Sequence, residues 1–180
     1  AEAITINGTG YNNDGMGAIM LINGDATIGT GATVFTLGSA TAARVEAGRT
    51  LTLNANVSGN NILTKRGAGV LEYFGGTSNA TTGAVDVREG TLKLSKTGTA
   101  NAVNGAVTIG NLATAASVVY GGNSTNQIGT VTVTVNNGST LDLNGVNDTI
   151  GALVMTGGTA TTGTGTLTLG GDLTYNIGGA

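Results

Sequence analysis

The chain of 180 residues is rich in Gly, Thr and Asn and carries few charges, and this composition excludes several classes of protein. Only 9% of its residues are charged but 39% are hydrophobic, so it can bury a core and is unlike a disordered tail. The net charge of −3 and the lack of an evident basic patch argue against a nucleic-acid partner, and all seven Lys and Arg lie between Arg44 and Lys96.

Alternation of apolar and polar residues predicts short strands along the whole chain. Most of these segments end at Gly or Asn, which tolerate the positive φ angles of tight corners. Asn-Gly pairs mark several of the corners, and they are also typical of β-hairpins. In chain order, the predicted strands are 4–6, 33–37, 50–54, 70–74, 84–89, 91–95, 106–109, 117–120, 130–135, 140–144 and 166–170.

Similar four-residue words recur at a regular interval. They are TLTL at Thr50, VLEY at Val70, TLKL at Thr91, TLDL at Thr140 and TLTL at Thr166. The long interval from Thr91 to Thr140 equals two turns, with the strand at 117–120 between them. A period of about 20–26 residues predicts the coils of a β-solenoid, whereas the alternative, a hairpin meander, repeats at about 8–12 residues.

We therefore expect an all-β fold, a single β-solenoid over residues 1–180 with about seven or eight coils and less regular coils over 1–47. Stacking places equivalent residues of successive coils in register. The predicted inward ladders are Leu51, Leu71, Leu92, Leu141 and Leu167, and then Leu53, Tyr73, Leu94, Leu143 and Leu169. The predicted outward residues are Thr52, Glu72, Lys93, Asp142 and Thr168, with Glu72 and Lys93 neighbours on adjacent coils.

Residues 65–94 contain a recognisable arrangement of Lys, Gly and Leu. Its members are Lys65, Gly67, Gly69, Leu71, Gly83, Val87, Gly90, Leu92 and Leu94. This pattern resembles the autotransporter-associated β-strand repeat. Residues 138–153, GSTLDLNGVNDTIGAL, resemble the segment that commonly follows it, and 163–175 resemble the next turn. The resemblance covers roughly 48–175, within repeat-like coils over 48–180, and it implies a right-handed parallel β-helix exported by a bacterium as a stalk or adhesive surface.

The sequence offers little material for catalysis. It contains no His or Cys, which excludes Ser–His–Asp and Cys–His catalysis and the usual zinc sites. The densest charged cluster is Asp86, Arg88 and Glu89, which indicates either a solvated strand face or a polysaccharide-cleaving site. Asp142 and Asp148 flank a corner and could either meet a cation or bond the corner backbone. Residues 170–176 only faintly resemble a Ca²⁺-binding nonapeptide repeat.

These observations predict a non-catalytic, structural or adhesive solenoid with no catalytic residue, no cofactor and no metal site. The alternatives are a polysaccharide-cleaving β-helix enzyme and an ice-binding solenoid with ranks of Thr. Unpaired strand edges at the ends predict a chain cut from a longer array, residues 1–20 folded across one end, or end-to-end self-association into filaments. Cell-surface or glycan ligands are expected, nucleic acid and membrane insertion are not, and the expected location is extracellular or the bacterial outer surface.

Overall fold

Short parallel strands stack into a β-solenoid of about seven turns, which confirms the predicted fold class. The computed structural model describes residues 2–10, 16–111 and 113–176. The strands are β1 (Ala3–Gly8), β2 (Ile19–Leu21), β3 (Ala26–Val45), β4 (Thr50–Ser58), β5 (Leu63–Arg66), β6 (Val70–Gly75), β7 (Val85–Val87), β8 (Gly90–Lys96), β9 (Val107–Ile109), β10 (Ala116–Tyr120), β11 (Val133–Asn136), β12 (Thr140–Asp142), β13 (Asp148–Ile150), β14 (Leu153–Thr156), β15 (Thr159–Thr161), β16 (Leu167–Leu169) and β17 (Leu173–Tyr175).

The strands form two long columns and one short one. The first column runs β4, β6, β8, β10, β12, β15, and the second runs β5, β7, β9, β11, β14, β17. The long strand β3 begins both columns, and β13 pairs with β16 in a separate two-stranded sheet. Every pair of named strands in the described residues is parallel, so the hairpin interpretation of the Asn-Gly pairs is wrong and these pairs turn corners within coils.

The coil length agrees with the period read from the sequence. Leu51 pairs with Leu71, Leu71 with Leu92, Leu92 with Val118, and Val118 with Leu141. Each of these steps falls within the expected period of about 20–26 residues, and Val118 belongs to the predicted intermediate strand. All five side chains are buried, and each contributes about 1.5–3 kcal/mol of hydrophobic stabilisation.

The last residue predicted for each inward ladder, Leu167 and Leu169, is wrong. Ala160, and not Leu167, follows Leu141, because Leu167 pairs with Asp148 and Leu169 pairs with Ile150 in the two-stranded sheet. Each coil has several inward-facing sides, and an alternating Thr-Leu word fits any of them equally well. The recurrence of the word therefore identified a coil but not the side of the coil.

The first strands continue the stack. β1 and β2 both pair in parallel with β3, with Ile4 beside Phe35 and Ile19 beside Ala43. This arrangement contradicts the alternative in which residues 1–20 fold across the end of the solenoid. Residues 11–15 lie outside the described part of the chain.

The NGVNDT segment of residues 144–149 contains the corner between β12 and β13 and the first two residues of β13. Asn144 and Gly145 both have positive φ, 48° and 84°, which turns the chain sharply. The backbone N–H of Asn144 donates to Asp142 Oδ1 at 2.9 Å, and its side-chain Nδ2 donates to the carbonyl of Tyr120 at 3.1 Å. The side chain thus ties this corner to the preceding coil.

Substitution of a corner glycine tests the close stacking of coils. A Cβ at Gly83 would overlap the carbonyl oxygen of Asn61 in the coil before, whereas a Cβ at Gly76 meets only ordinary contacts. We expect Gly83→Ala to lower the free energy of unfolding by about 1–3 kcal/mol, since the backbone must shift. Gly76→Ala is the matched control, with an expected change below about 0.5 kcal/mol in urea denaturation. Equal effects of the two variants would contradict the stacking.

Candidate functional site

The cluster of Asp86, Arg88 and Glu89 does not form a pair of converging carboxylates. Asp86 Oδ2 accepts a hydrogen bond from Arg88 Nε at 2.6 Å, in an ion pair on the outer face of the second column. Glu89 Oε2 instead accepts from the backbone N–H of Gly67 at 2.7 Å, in the adjacent coil. The carboxylate of Asp86 therefore orients Arg88, and the carboxylate of Glu89 stabilises the corner at Gly67.

The two aspartates flanking the NGVNDT corner also have separate partners. Asp142 is half-buried, and its Oδ1 accepts from Thr161 Oγ1 at 3.0 Å and from the N–H of Asn144. Asp148 is buried, and its Oδ2 accepts from Tyr120 Oη at 2.7 Å and from the N–H of Ile128 at 3.0 Å. Across the ranges 2–10, 16–111 and 113–176, no group of three or more Asp and Glu is placed to hold a metal ion.

Burial acts on the ionisation of this Tyr–Asp pair. It raises the pKa of Asp148, although the hydrogen bonds from Ile128, Tyr120 and Thr149 oppose the shift. Burial and the neighbouring carboxylate of Asp148 also raise the pKa of Tyr120. The pair links the coil of β10 to that of β13, so its geometry is that of a structural cross-link.

The predicted neighbours Glu72 and Lys93 do pair on adjacent coils. Glu72 Oε1 lies 3.0 Å from Lys93 Nζ and accepts from Ser95 Oγ at 2.7 Å, while Oε2 accepts from Thr52 Oγ1 at 3.1 Å. Burial raises the pKa of Glu72, but the hydrogen bonds from Ser95 and Lys93 outweigh it and hold the pKa below its ordinary value. This network confirms the predicted register of the first column.

Two lysines have a role that sequence reasoning missed. Lys65 and Lys96 are fully buried, and their ammonium groups donate to backbone carbonyls. Lys65 Nζ donates to Gly67 O at 2.6 Å and to Glu89 O at 3.0 Å, and Lys96 Nζ donates to Phe74 O at 3.0 Å. Burial lowers the pKa of each lysine to about 8. The signal in the sequence was a lysine at or near the end of a strand that leads into a Gly-containing corner.

Buried amides join the corners of other coils. Asn79 is only 2% exposed; its Oδ1 accepts from Val57 N at 3.0 Å, and its Nδ2 donates to Ala102 O at 2.8 Å. Gln127 Nε2 likewise donates to Lys96 O at 2.8 Å. Such amides satisfy backbone groups of neighbouring coils and so help to join one coil to the next.

Three arginines stack on the outer face of the second column. Arg44 pairs with Arg66, and the N–H of Arg88 donates to Lys65 O at 3.0 Å, which extends the register to Arg88. Equivalent residues of successive coils lie about 4.8 Å apart. We call this row of Arg44, Arg66 and Arg88 the arginine column. Its members are equally spaced in the sequence, and that equal spacing was the signal that could have revealed it.

A shallow groove lies next to the arginine column. Its volume is about 530 Å³, and it is lined by Asp86, Arg88, Thr108, Gly110, Asn111 and Asn136, with Ala113 at its margin. The N–H of Gly110 donates to Val87 O at 2.7 Å, so Gly110 follows Arg88 in register and contributes no side chain there. A Cβ at Gly110 would overlap Ser139 Oγ, so that position is already filled by a neighbouring side chain. The groove is open to solvent and has both polar and apolar lining.

Rows of threonine on the outside are short. Thr108 pairs with Thr134 in the second column, but Asp86 and Val154 occupy the positions on either side. In the two-stranded sheet, Thr149 pairs with Thr168. Among the described strands, these runs give no wide flat array of identical side chains of the kind an ice-binding face requires.

Comparisons of the chain with models of protein families, with curated proteins and with solved structures gave no match. In the part of the chain that the structure describes, no helix has the length and apolar character needed to cross a membrane. The fold and its surface chemistry are thus the basis for assigning a function, and the fold defines the chain as a β-helix repeat protein.

Proposed function

We propose that this chain is a non-catalytic, exported β-solenoid of the autotransporter-associated repeat type. It acts at the bacterial outer surface or outside the cell as a stalk, an adhesive surface or a fibre building block. The observation that carries the proposal is the unbroken stack of coils with uncovered strand edges at both ends of the described structure. A rigid rod that can add further coils or further copies at its ends is suited to spanning distance.

The stacking of coils explains why the repeat-like motif has Lys, Gly and Leu at these positions, and this supports the resemblance. Lys65 caps corner carbonyls, and Gly67 has a φ of 74°. A Cβ at Gly69 or Gly83 would overlap a carbonyl oxygen of the preceding coil. Leu71 and Leu92 pair in the buried inward ladder. Each of these requirements comes from stacking one coil on the next, as expected of a repeat that builds a β-helix.

The last described strand supports end-to-end association. β17 pairs with β14 on one side, and among the described residues no strand pairs with its other side. Its side chains Leu173 and Tyr175 are 58% and 59% exposed. An exposed strand edge that carries large apolar side chains is a template for pairing with another chain. A second copy whose first coil meets this edge would continue the parallel stack, and such a contact does not close on itself.

Electron microscopy and sedimentation of the purified chain test this association. We expect concentration-dependent linear oligomers, and we expect Leu173→Lys with Tyr175→Lys to shift the population to monomers because the added charges oppose edge pairing. Phe74→Lys is the matched control, since Phe74 is an exposed aromatic residue, 45% accessible, away from the end coil. Monomers at every concentration, or equal disruption by the control, would refute the association.

Two further measurements test the remaining parts of the proposal. Labelling of intact producing cells with an antibody against the chain should give a surface signal, and a signal only after lysis would contradict export. Incubation with polysaccharides should give no cleavage products. Robust turnover by the purified chain would replace the structural function with the polysaccharide-cleaving alternative.

A further inference from the structure

We propose that the arginine column and its adjacent groove bind an acidic polysaccharide that carries carboxylates along its chain. This inference rests on the proposed function and names the ligand class of the adhesive surface. It starts from Arg66, whose Nε is buried and meets no acceptor in the described residues. The side chain of Arg66 is only partly buried and makes no ion pair with the described residues, so an acceptor supplied from outside can reach its terminal nitrogens, although not the buried Nε.

Arg44 and Arg88, the neighbours of Arg66 in the column, are each held by a carboxylate in an orientation that leaves part of the guanidinium free for a ligand. Arg44 Nε donates to Glu46 Oε1 at 2.6 Å, and Arg88 Nε donates to Asp86 Oδ2 at 2.6 Å. Each carboxylate engages its arginine through Nε, so the terminal nitrogens at the other end of each guanidinium can meet a ligand. The planar fork of a guanidinium matches the two oxygens of a carboxylate, and this match makes Arg a selective binder of that group.

The spacing of the column favours a linear polymer over a single small anion. The Cα atoms of the three arginines repeat at the coil spacing of about 4.8 Å along the outer face of the second column. The side chain of Arg44 leans toward Glu46, two residues after it, and that of Arg88 leans toward Asp86, two residues before it. A polymer of acidic sugars can lie along this face and present carboxylates to successive arginines. Binding through several weak contacts on one chain raises the overall affinity well above that of any single contact.

The groove supplies contacts of the kind that sugar hydroxyls make. Asn136 Nδ2 already donates to Gly110 O at 2.8 Å, and Asn111 Oδ1 already accepts from the N–H of Ala113 at 2.7 Å. The lining groups left for a sugar are Asn111 Nδ2, Thr108 Oγ1 and Asp86 Oδ1. Arg88 belongs to both the column and the groove, and its side chain is 41% exposed. A chain held at the arginine column would therefore pass directly into a recess with hydrogen-bond donors and acceptors.

The charge around the column disfavours nucleic acid as the ligand. Glu46 and Asp86 lie beside the column and pair with Arg44 and Arg88, and the whole chain has a net charge of −3. Nucleic-acid surfaces are strongly basic, and this surface is not. Spaced carboxylates separated by neutral hydroxyl groups fit this alternating surface better.

Calorimetric titration of the full chain with an oligogalacturonate tests the inference. A neutral malto-oligosaccharide and single-stranded DNA serve as comparison ligands, and each titration is made at low and at high salt. We expect Arg66→Gln and Arg88→Gln each to weaken oligogalacturonate binding about tenfold, or about 1.4 kcal/mol. Arg66→Lys keeps the charge but loses the fork, so an intermediate loss is expected. The control Lys93→Gln removes the same charge from the first column and should change binding less than about twofold.

The outcomes separate this inference from the proposed function. No binding of oligogalacturonate, equal binding of the neutral sugar or of DNA, no effect of both Gln variants, or an equal effect of Lys93→Gln would each overturn the inference. End-to-end association is measured on the same samples, and its persistence without glycan binding would leave the proposed function standing. Circular dichroism establishes that each variant is folded, and the exposed Arg88 provides the test if Arg66→Gln does not fold.

Discussion

Asp148→Ala is expected to lower the free energy of unfolding by about 3 kcal/mol, one of the largest effects of any single substitution in this chain. The buried carboxylate accepts hydrogen bonds from Tyr120 Oη, from the N–H of Ile128 and, at 2.7 Å, from the N–H of Thr149. Removing it leaves these donors unsatisfied between two coils. Urea denaturation followed by the far-ultraviolet circular dichroism of the β-sheet measures the loss.

Asp142→Ala is the matched control for this prediction. Asp142 is only partly buried at the other side of the same corner, and water can replace its hydrogen bonds to Asn144 N and Thr161 Oγ1, so its replacement should cost about 1 kcal/mol or less. Tyr120→Phe in the Asp148→Ala background adds a second check. Because the Phe removes the hydroxyl that Asp148→Ala leaves without an acceptor, the double variant should lose less than the sum of the single variants. Additive losses would show that the two side chains do not interact.

The stability of the solenoid is expected to rise between about pH 8 and pH 10. The pKa of Lys65 and of Lys96 is lowered to about 8 in the folded chain, against an ordinary value of 10.5. In this interval the unfolded chain therefore binds more protons than the folded chain, so stability increases as the pH rises. The slope is at most about 1.4 kcal/mol per pH unit for each lysine, and urea midpoints at several pH values measure it.

Ionisation of buried tyrosines sets the upper limit of the pH interval in which stability rises. Burial raises the pKa of Tyr73 and of Tyr120 above the ordinary value of 10.0, so at still higher pH the unfolded chain loses these protons first and stability falls. Lys65→Met should flatten the rise between pH 8 and pH 10, whereas the control Lys93→Met should leave it unchanged. A rise that persists in full in a Lys65→Met, Lys96→Met double variant would contradict the assignment to these lysines.

The repeating core was predictable because a strand with one buried face has little freedom. Apolar residues at alternate positions specify which face points inward, and stacking then places Leu51 beside Leu71 and Leu71 beside Leu92. The outward charges of Glu72 and Lys93 followed from the same parity, and their ion pair was expected from it. These features depend only on local pattern and on coil length.

The corner contacts were beyond sequence reasoning for a different reason. Asn79 bonds Ala102, and Lys65 bonds Glu89, so each contact joins side chain and backbone from neighbouring coils. The identity of such a partner changes when a corner gains or loses one residue. The placement of Leu167 beside Asp148 was missed for the same reason, because corner length decides which side of the coil a strand occupies.

The unequal coil lengths have a consequence for how such a molecule can change. The chain takes a longer path from Leu92 to Val118 than from Leu71 to Leu92, yet all three side chains stay in one buried row. Extra residues are taken up at the periphery, where lengthening a connection costs little free energy. Gene duplication of a whole winding, or insertion of a new exposed segment, can thus alter reach and surface character without rebuilding the interior.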